Sequence, residues 1–213
     1  MIYKLLARLV LAAAVTGAGI GLSMAEDTQT PLTPVPAGIA EATFAAGCFW
    51  CSEKDFEKVA GVTEVVSGYT GGTLPNPTYH QVGSGLTGHF EAVRVRFDPK
   101  KVSYDALLDT YWHNVDFLDG GGQFCDRGAA YRPAIFVHDE AQKAAAEASK
   151  AALSRDRNGL EIAVQVLPAG TFTTAEDYHQ DYYKTNPMRY KLYRSGCGRD
   201  ARLHQLWPNQ AAY

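Results

Sequence analysis

Cys48 and Cys51 stand three residues apart in the stretch FAAGCFWCSEKDF, with Phe49 and Trp50 between them. A thiolate can be a nucleophile, a metal ligand or a partner in disulfide exchange, and this spacing suits all three. The two aromatics add a condition: something apolar must bind beside the sulfur. A zinc site needs a second Cys or His pair at ligand spacing. Cys125 and Cys197 are single, and none of the 6 histidines clusters with them, so no metal is assigned. Gly47 lets a ligand or the backbone come close to Cys48. A strand ending at residue 46 and a helix starting at Cys48 would place this sulfur at a helix N-terminus, where free N–H groups and the helix dipole favour the thiolate.

A second reactive group lies in GHFEAVRVRF. In a strand, Glu91, Val93, Val95 and Phe97 share one face, and Phe90, Ala92, Arg94 and Arg96 share the other. The carboxyl of Glu91 therefore falls on an apolar face, where burial would raise its pKa and let it stay protonated as a general acid; by pattern alone it is equally a strand-end glutamate that reaches solvent beyond Val93. Tyr79, in NPTYHQ, and Tyr131, ahead of an apolar run, could each donate a hydrogen bond to a reacting oxygen. By pattern alone either is equally a packing residue.

The elements that must position these groups follow from the rest of the chain. It opens with Lys4 and Arg8, an apolar run over residues 9–22, and Ser23-Met24-Ala25, which has small residues at the positions a signal peptidase reads. This is the pattern of a secretory signal peptide over residues 1–25, too short to span a membrane, which needs roughly 20 apolar residues. It implies a periplasmic or secreted protein with no membrane attachment after cleavage. Residues 26–40 carry three prolines and few apolar groups and read as a flexible tether. Residues 41–213 are long enough for one domain with a real core. The 23 acidic and 20 basic residues leave a net charge of −3, which offers nothing to nucleic acid.

Alternation over residues 41–46, 62–69, 89–98, 131–139 and 161–169 predicts strands. Helical periodicity predicts helices from Cys48 to about 60, over 104–114 behind the cap Ser103, and over 139–154 behind Asp139. A further helix is predicted from Thr174 to 185, opened by Thr174 with Asp177, then a shorter one beyond Pro187. Residues 70–88 and 119–129 read as loops. The order is βαββαβαβα, with two strands adjoining directly. That predicts an α+β fold: a two-layer sandwich with a mixed sheet and a ferredoxin-like core.

Taken in order, GCFWC, NPTYHQVGSGLTGHFEAV, DRGAAYRPAIF and AEDYHQDYY resemble the peptide methionine sulfoxide reductases of the A class, over most of the domain. The resemblance implies reduction of methionine-S-sulfoxide, free or in proteins, as a repair of oxidative damage, with no cofactor. It makes Cys48 the nucleophile, Glu91 the acid, and Tyr79 and Tyr131 the phenols that hold the sulfoxide oxygen. Phe49 and Trp50 become the pocket for the S-methyl group, and Asp126, His179 and Tyr182 line the site. Cys48 would become a sulfenic acid, condense with a second thiol, and be recycled by a thioredoxin-like electron donor. The family leans to monomers. For the resolving thiol, Cys197, between Gly196 and Gly198, is preferred; Cys51 is second, and Cys125 reads as a bystander. Two other readings use the same residues. One is a thiol-disulfide oxidoreductase working through Cys48 and Cys51 alone, which leaves Glu91 and Tyr79 without a task. The other is a secreted binding module with two structural disulfides.

Overall fold

The computed structural model describes residues 28–208; the signal-peptide segment lies outside them. In chain order the elements are β1 (Ala40–Ala46), α1 (Phe49–Glu57), β2 (Val62–Thr70), α2 (Tyr79–Gly83), β3 (Phe90–Phe97) and α3 (Tyr104–His113). Then come a small hairpin, β4 (Gly122–Gln123) and β5 (Asp126–Arg127), followed by β6 (Pro133–Val137), α4 (Glu140–Asp156), β7 (Gln165–Pro168) and β8 (Thr173–Thr174). The chain closes with α5 (Tyr182–Thr185), α6 (Pro187–Gly196) and α7 (Arg199–Leu206).

Six strands form one sheet in the order β7-β6-β1-β3-β2-β8. Its middle, β6-β1-β3-β2, is antiparallel throughout and is built by β1–α1–β2–β3–α3–β6. That is the ferredoxin-like core expected. β7 adds to it in parallel through α4, and β8 adds antiparallel on the other edge. α1, α3 and α4 cover one face of the sheet.

The strands alternate as their sequences require. On the helix side, Ala42, Phe44, Val93, Val95 and Phe97 enter the main core. Phe44, fully buried, stacks on Phe56 and Tyr111 with centroids 4.7 and 5.3 Å away; burying one such ring contributes about 1.5–3 kcal/mol. On the opposite face, Ala45, Phe90, Ala92 and Phe136 form a smaller cluster. Arg94 and Arg96 lie on that face too and both pair with Glu41. Two of the three predicted caps are present: Ser103 Oγ accepts the Ala106 N–H at 3.2 Å, and Asp139 Oδ1 accepts the Gln142 N–H at 2.7 Å, whereas Thr174 lies in a strand.

Three local expectations need correction. Residues 174–185 are not one helix. Thr173–Thr174 joins β2, a 3-10 turn follows at Asp177–His179, and Asp181 turns left-handed at φ 53° before α5. Long-range hydrogen bonds outweigh helix propensity here. Glu176 accepts from the Tyr69 hydroxyl (2.7 Å) and the Tyr79 N–H (2.8 Å), and the Gln180 amide bridges the Ser67 N–H and C=O at 3.0 Å each. The loop over 70–88 holds α2, closed by a capping box between Thr78 and Gln81. Part of the expected tether is docked rather than free. Thr28 and Thr30 donate to the Asp177 carboxylate at 2.9 and 3.0 Å, and Arg96 donates to Thr33 Oγ1 at 2.9 Å.

Candidate active site

Gly47 ends β1 with φ +77° and turns the chain into α1, putting Cys48 at the N-cap. A side chain at Gly47 would meet Gln123 Cβ at 2.5 Å. Cys48 and Phe49 line a small cavity. Trp50, Tyr79 and Tyr131 stand round it, with Glu91, Asp126 and Tyr193. The topology explains the convergence: β1 and β3 are sheet neighbours, so the start of α1 sits over the start of β3. The Phe49 N–H donates to Glu91 Oε2 at 3.0 Å, which ties the acid to the nucleophile's own helix.

The Glu91 carboxyl is 2% exposed. Burial, with Asp126 and Cys51 nearby, raises it to about 8 despite the Phe49 N–H. It is therefore protonated at neutral pH, as its strand face predicts. Tyr131 donates a hydrogen bond to Tyr79, which leaves the Tyr79 phenol proton for the cavity. Burial, reinforced by Glu91, raises Tyr79 to about 12, so it stays a donor.

Cys48 departs from the expected helix-terminus thiolate. Burial, its hydrogen bond to Cys51 and the charges of Cys51 and Glu91 raise it well above the ordinary thiol range, opposed by the neighbouring Tyr193 hydroxyl. The first helical N–H, which would have faced a thiolate, is spent on Glu91. Cys51 is displaced the other way: the hydrogen bond from Cys48, helped by Arg199 and Arg194, lowers it against its burial.

A family model described as peptide methionine sulfoxide reductase matches residues 40–211. The chain belongs to this family. The reductase is 55% identical over 166 residues to peptide methionine sulfoxide reductase MsrA 2 of Caulobacter vibrioides, covering 78% of this chain and 84% of that one. It is 51% identical to MsrA of Bacillus licheniformis over 169 residues, 78% and 92% of the two chains. Among solved structures it resembles methionine sulfoxide reductase A of Corynebacterium diphtheriae, with a TM-score of 0.64 at 31% identity over 71% and 77% of the chains. It also resembles Mxr1 from Saccharomyces cerevisiae in reduced form, with a TM-score of 0.68 at 28% identity over 73% and 90%.

Within the reductase, Phe49, Trp50 and Asp126 line the cavity as expected, but His179 and Tyr182 stand behind its wall. Tyr182 stacks flat on Trp50, centroids 3.7 Å apart, and His179 Nδ1 accepts the Trp50 indole N–H at 3.0 Å. Both hold the indole in place, and His179 also packs against Phe49 and Tyr79, with centroids 4.9 and 4.5 Å away. Tyr193 was not foreseen. Its hydroxyl donates to Asp126 Oδ2 and stands beside Cys48. Among the tyrosines of YKLYRSGC, no spacing singles it out.

The cysteines also pair differently from the expectation. Cys125 is no bystander: it forms a disulfide with Cys197 across 72 residues of sequence, while Cys48 and Cys51 are free. The left-handed Phe124 and the end of α6 bring those two sulfurs together. Two clusters of metal-ligand type occur among the described residues. In one, Cys125, Asp126 and Cys197, the sulfurs are bonded to each other; in the other, Glu53, Glu57 and Asp181, the Lys184 ammonium bridges Glu57 and Asp181 at 2.7 and 2.6 Å.

Proposed function

We propose that this reductase converts methionine-S-sulfoxide, in proteins or free, to methionine through a Cys48 sulfenic acid. The observation that carries the reading is the meeting, in one small cavity, of a thiol, a protonated carboxyl, a hydrogen-bonded phenol pair and an aromatic wall. A small cavity with aromatic walls and polar groups on one side suits the tip of a thioether side chain. The sulfoxide oxygen lies toward Glu91 and the phenols, and the methyl group toward Phe49 and Trp50. Fixed donors on one side and an apolar wall on the other distinguish the two sulfur epimers.

The Cys48 thiolate attacks the sulfoxide sulfur while Glu91 gives its proton to the oxygen. Methionine leaves, the Cys48 sulfur is oxidised by two electrons, and the oxygen remains on it as –SOH. Cys51 then attacks Cys48, expelling water and forming their disulfide. Two facts support Cys51 over Cys197: it is hydrogen-bonded to Cys48, and the Cys197 sulfur is already held by Cys125. A thioredoxin-like dithiol returns the enzyme to its reduced state by exchange. The leader pattern supports export to the periplasm or beyond, where the enzyme, as a monomer, would repair oxidised proteins.

A single-turnover assay tests this. Prereduced protein mixed with each epimer in turn, without reductant, is expected to yield one methionine per molecule from the S epimer and none from the R epimer. Activity retained by Cys48→Ser would overturn the reading.

A further inference from the structure

The Tyr79 phenol stands on a very short helix. α2 has 5 residues, too few to hold its own shape or direction in water. Its capping box satisfies the N–H groups of Thr78 and Gln81, but the N–H of Tyr79, its first residue, has no acceptor within the helix. That N–H donates to Glu176 Oε1 at 2.8 Å, across 97 residues of sequence. Oε2 of the same carboxyl accepts the Tyr69 hydroxyl at 2.7 Å. Tyr69 is fully buried on β2, pairs with Glu91 in the register of β2 with β3, and has its ring 5.9 Å from that of Phe49. Glu176 itself is 1% exposed. One carboxyl thus joins the oxygen side of the cavity, through Tyr79, to its apolar side, through Tyr69 and Phe49.

The turn that carries Glu176 is itself held from both sides. On the inside, the Ala175 N–H donates to the Ser67 carbonyl at 2.9 Å, and the 3-10 turn that follows ends at His179, the acceptor of the Trp50 indole N–H. On the outside, residues 28–30 bind Asp177: its N–H donates to the Thr28 carbonyl at 2.8 Å, and its carboxylate accepts from Thr28 and Thr30. Gln29 donates to the Pro77 carbonyl at 3.0 Å, so the same segment grips the chain just ahead of α2. A water in place of the carboxyl would satisfy the Tyr79 N–H without fixing where the phenol stands.

We infer that Glu176 is a positioning residue for the reduction: by gripping the start of α2 and bracing it against Tyr69, it sets the Tyr79 hydroxyl where the sulfoxide oxygen must be held. This deepens the proposed reaction and rests on the role given there to the Tyr79 phenol. Glu176 does not line the cavity, so it touches no substrate and acts through Tyr79 alone. A donor works on a developing charge only at hydrogen-bond distance from the place that charge will occupy, and a shift of about 1 Å is enough to lose most of its effect.

The test is a double-mutant cycle on the single-turnover rate of the prereduced protein with saturating methionine-S-sulfoxide. Glu176→Ala is expected to slow methionine formation by roughly 10–100-fold. Glu176→Gln should recover most of that rate, because its amide oxygen accepts the Tyr79 N–H and its amide nitrogen donates to the Tyr69 hydroxyl. Tyr79→Phe keeps the main chain that Glu176 grips and removes only the hydroxyl. In that background Glu176→Ala should cost little further, since no hydroxyl is left to position. A glutamate that merely stabilised the fold would cost the same factor in both backgrounds. That result overturns the inference, and so does a folded Glu176→Ala protein with the wild-type rate. Should Glu176→Ala not fold, Glu176→Asp, one methylene shorter but still a carboxyl, takes its place in the cycle with the same expected coupling. Tyr79→Phe alone separates the two levels: a wild-type rate for it would sink the role of the phenol, whereas a slow Tyr79→Phe with additive losses would sink only that of Glu176.

Discussion

The residues at the cavity divide into those that react and those that hold a reacting group still. Glu91 belongs to the first kind. Glu91→Gln keeps the acceptor for the Phe49 N–H but removes the proton that the oxygen needs. Its single-turnover rate should fall by about 10²–10⁴, with substrate still binding. Tyr79 and Tyr131 share one task because they are hydrogen-bonded to each other. Their two Phe variants should each slow the reaction, and the double variant should cost less than the two losses combined, a coupling that a double-mutant cycle on single-turnover rates measures. His179 and Tyr182 are of the second kind and act through Trp50. The motifs made all these residues visible, but not the division between them, because which side of an indole a ring occupies depends on turns elsewhere in the chain.

Among the elements, the β1–α1 turn and helix α1 carry the most consequence. Gly47 has a left-handed φ and no room for Cβ, so Gly47→Ala should lose about 1–3 kcal/mol of stability by denaturant unfolding. One turn past Cys48, Glu53 is 1% exposed, and its Oε1 accepts the Asp181 N–H at 3.1 Å. Burial raises it from an ordinary value of 4.5 to about 8. The folded protein thus keeps a proton that the unfolded chain releases. That contribution is fully present below about pH 4.5 and is lost as pH rises toward 8. Glu53→Gln, which keeps the acceptor, should flatten this decline, so that melting temperatures of variant and wild type diverge most at about pH 8. The helix itself was legible from its periodicity. The irregular segment packed against it was not, because Glu176 and Gln180 spend their side chains on strands far away in sequence.

For the molecule as a whole, one titration and one crosslink set its behaviour. Glu91 must be protonated, with a value of about 8. The single-turnover rate should therefore fall as pH rises through about 8, and Glu91→Gln should remove this alkaline limb. The Cys125–Cys197 bond closes a loop of 72 residues. Cys125→Ser should cost about 2–4 kcal/mol in unfolding and still form the Cys48–Cys51 bond after one turnover.

The sequence alone determined the order of the elements, the ferredoxin-like core, and the face of β3 from which Glu91 looks at Cys48. Those follow from periodicity and from motifs a few residues long. Only the tertiary structure decided which cysteines bond and that Cys48 is buried rather than an exposed thiolate, because both depend on groups such as Phe124 and Tyr193 that reach the site from distant parts of the chain.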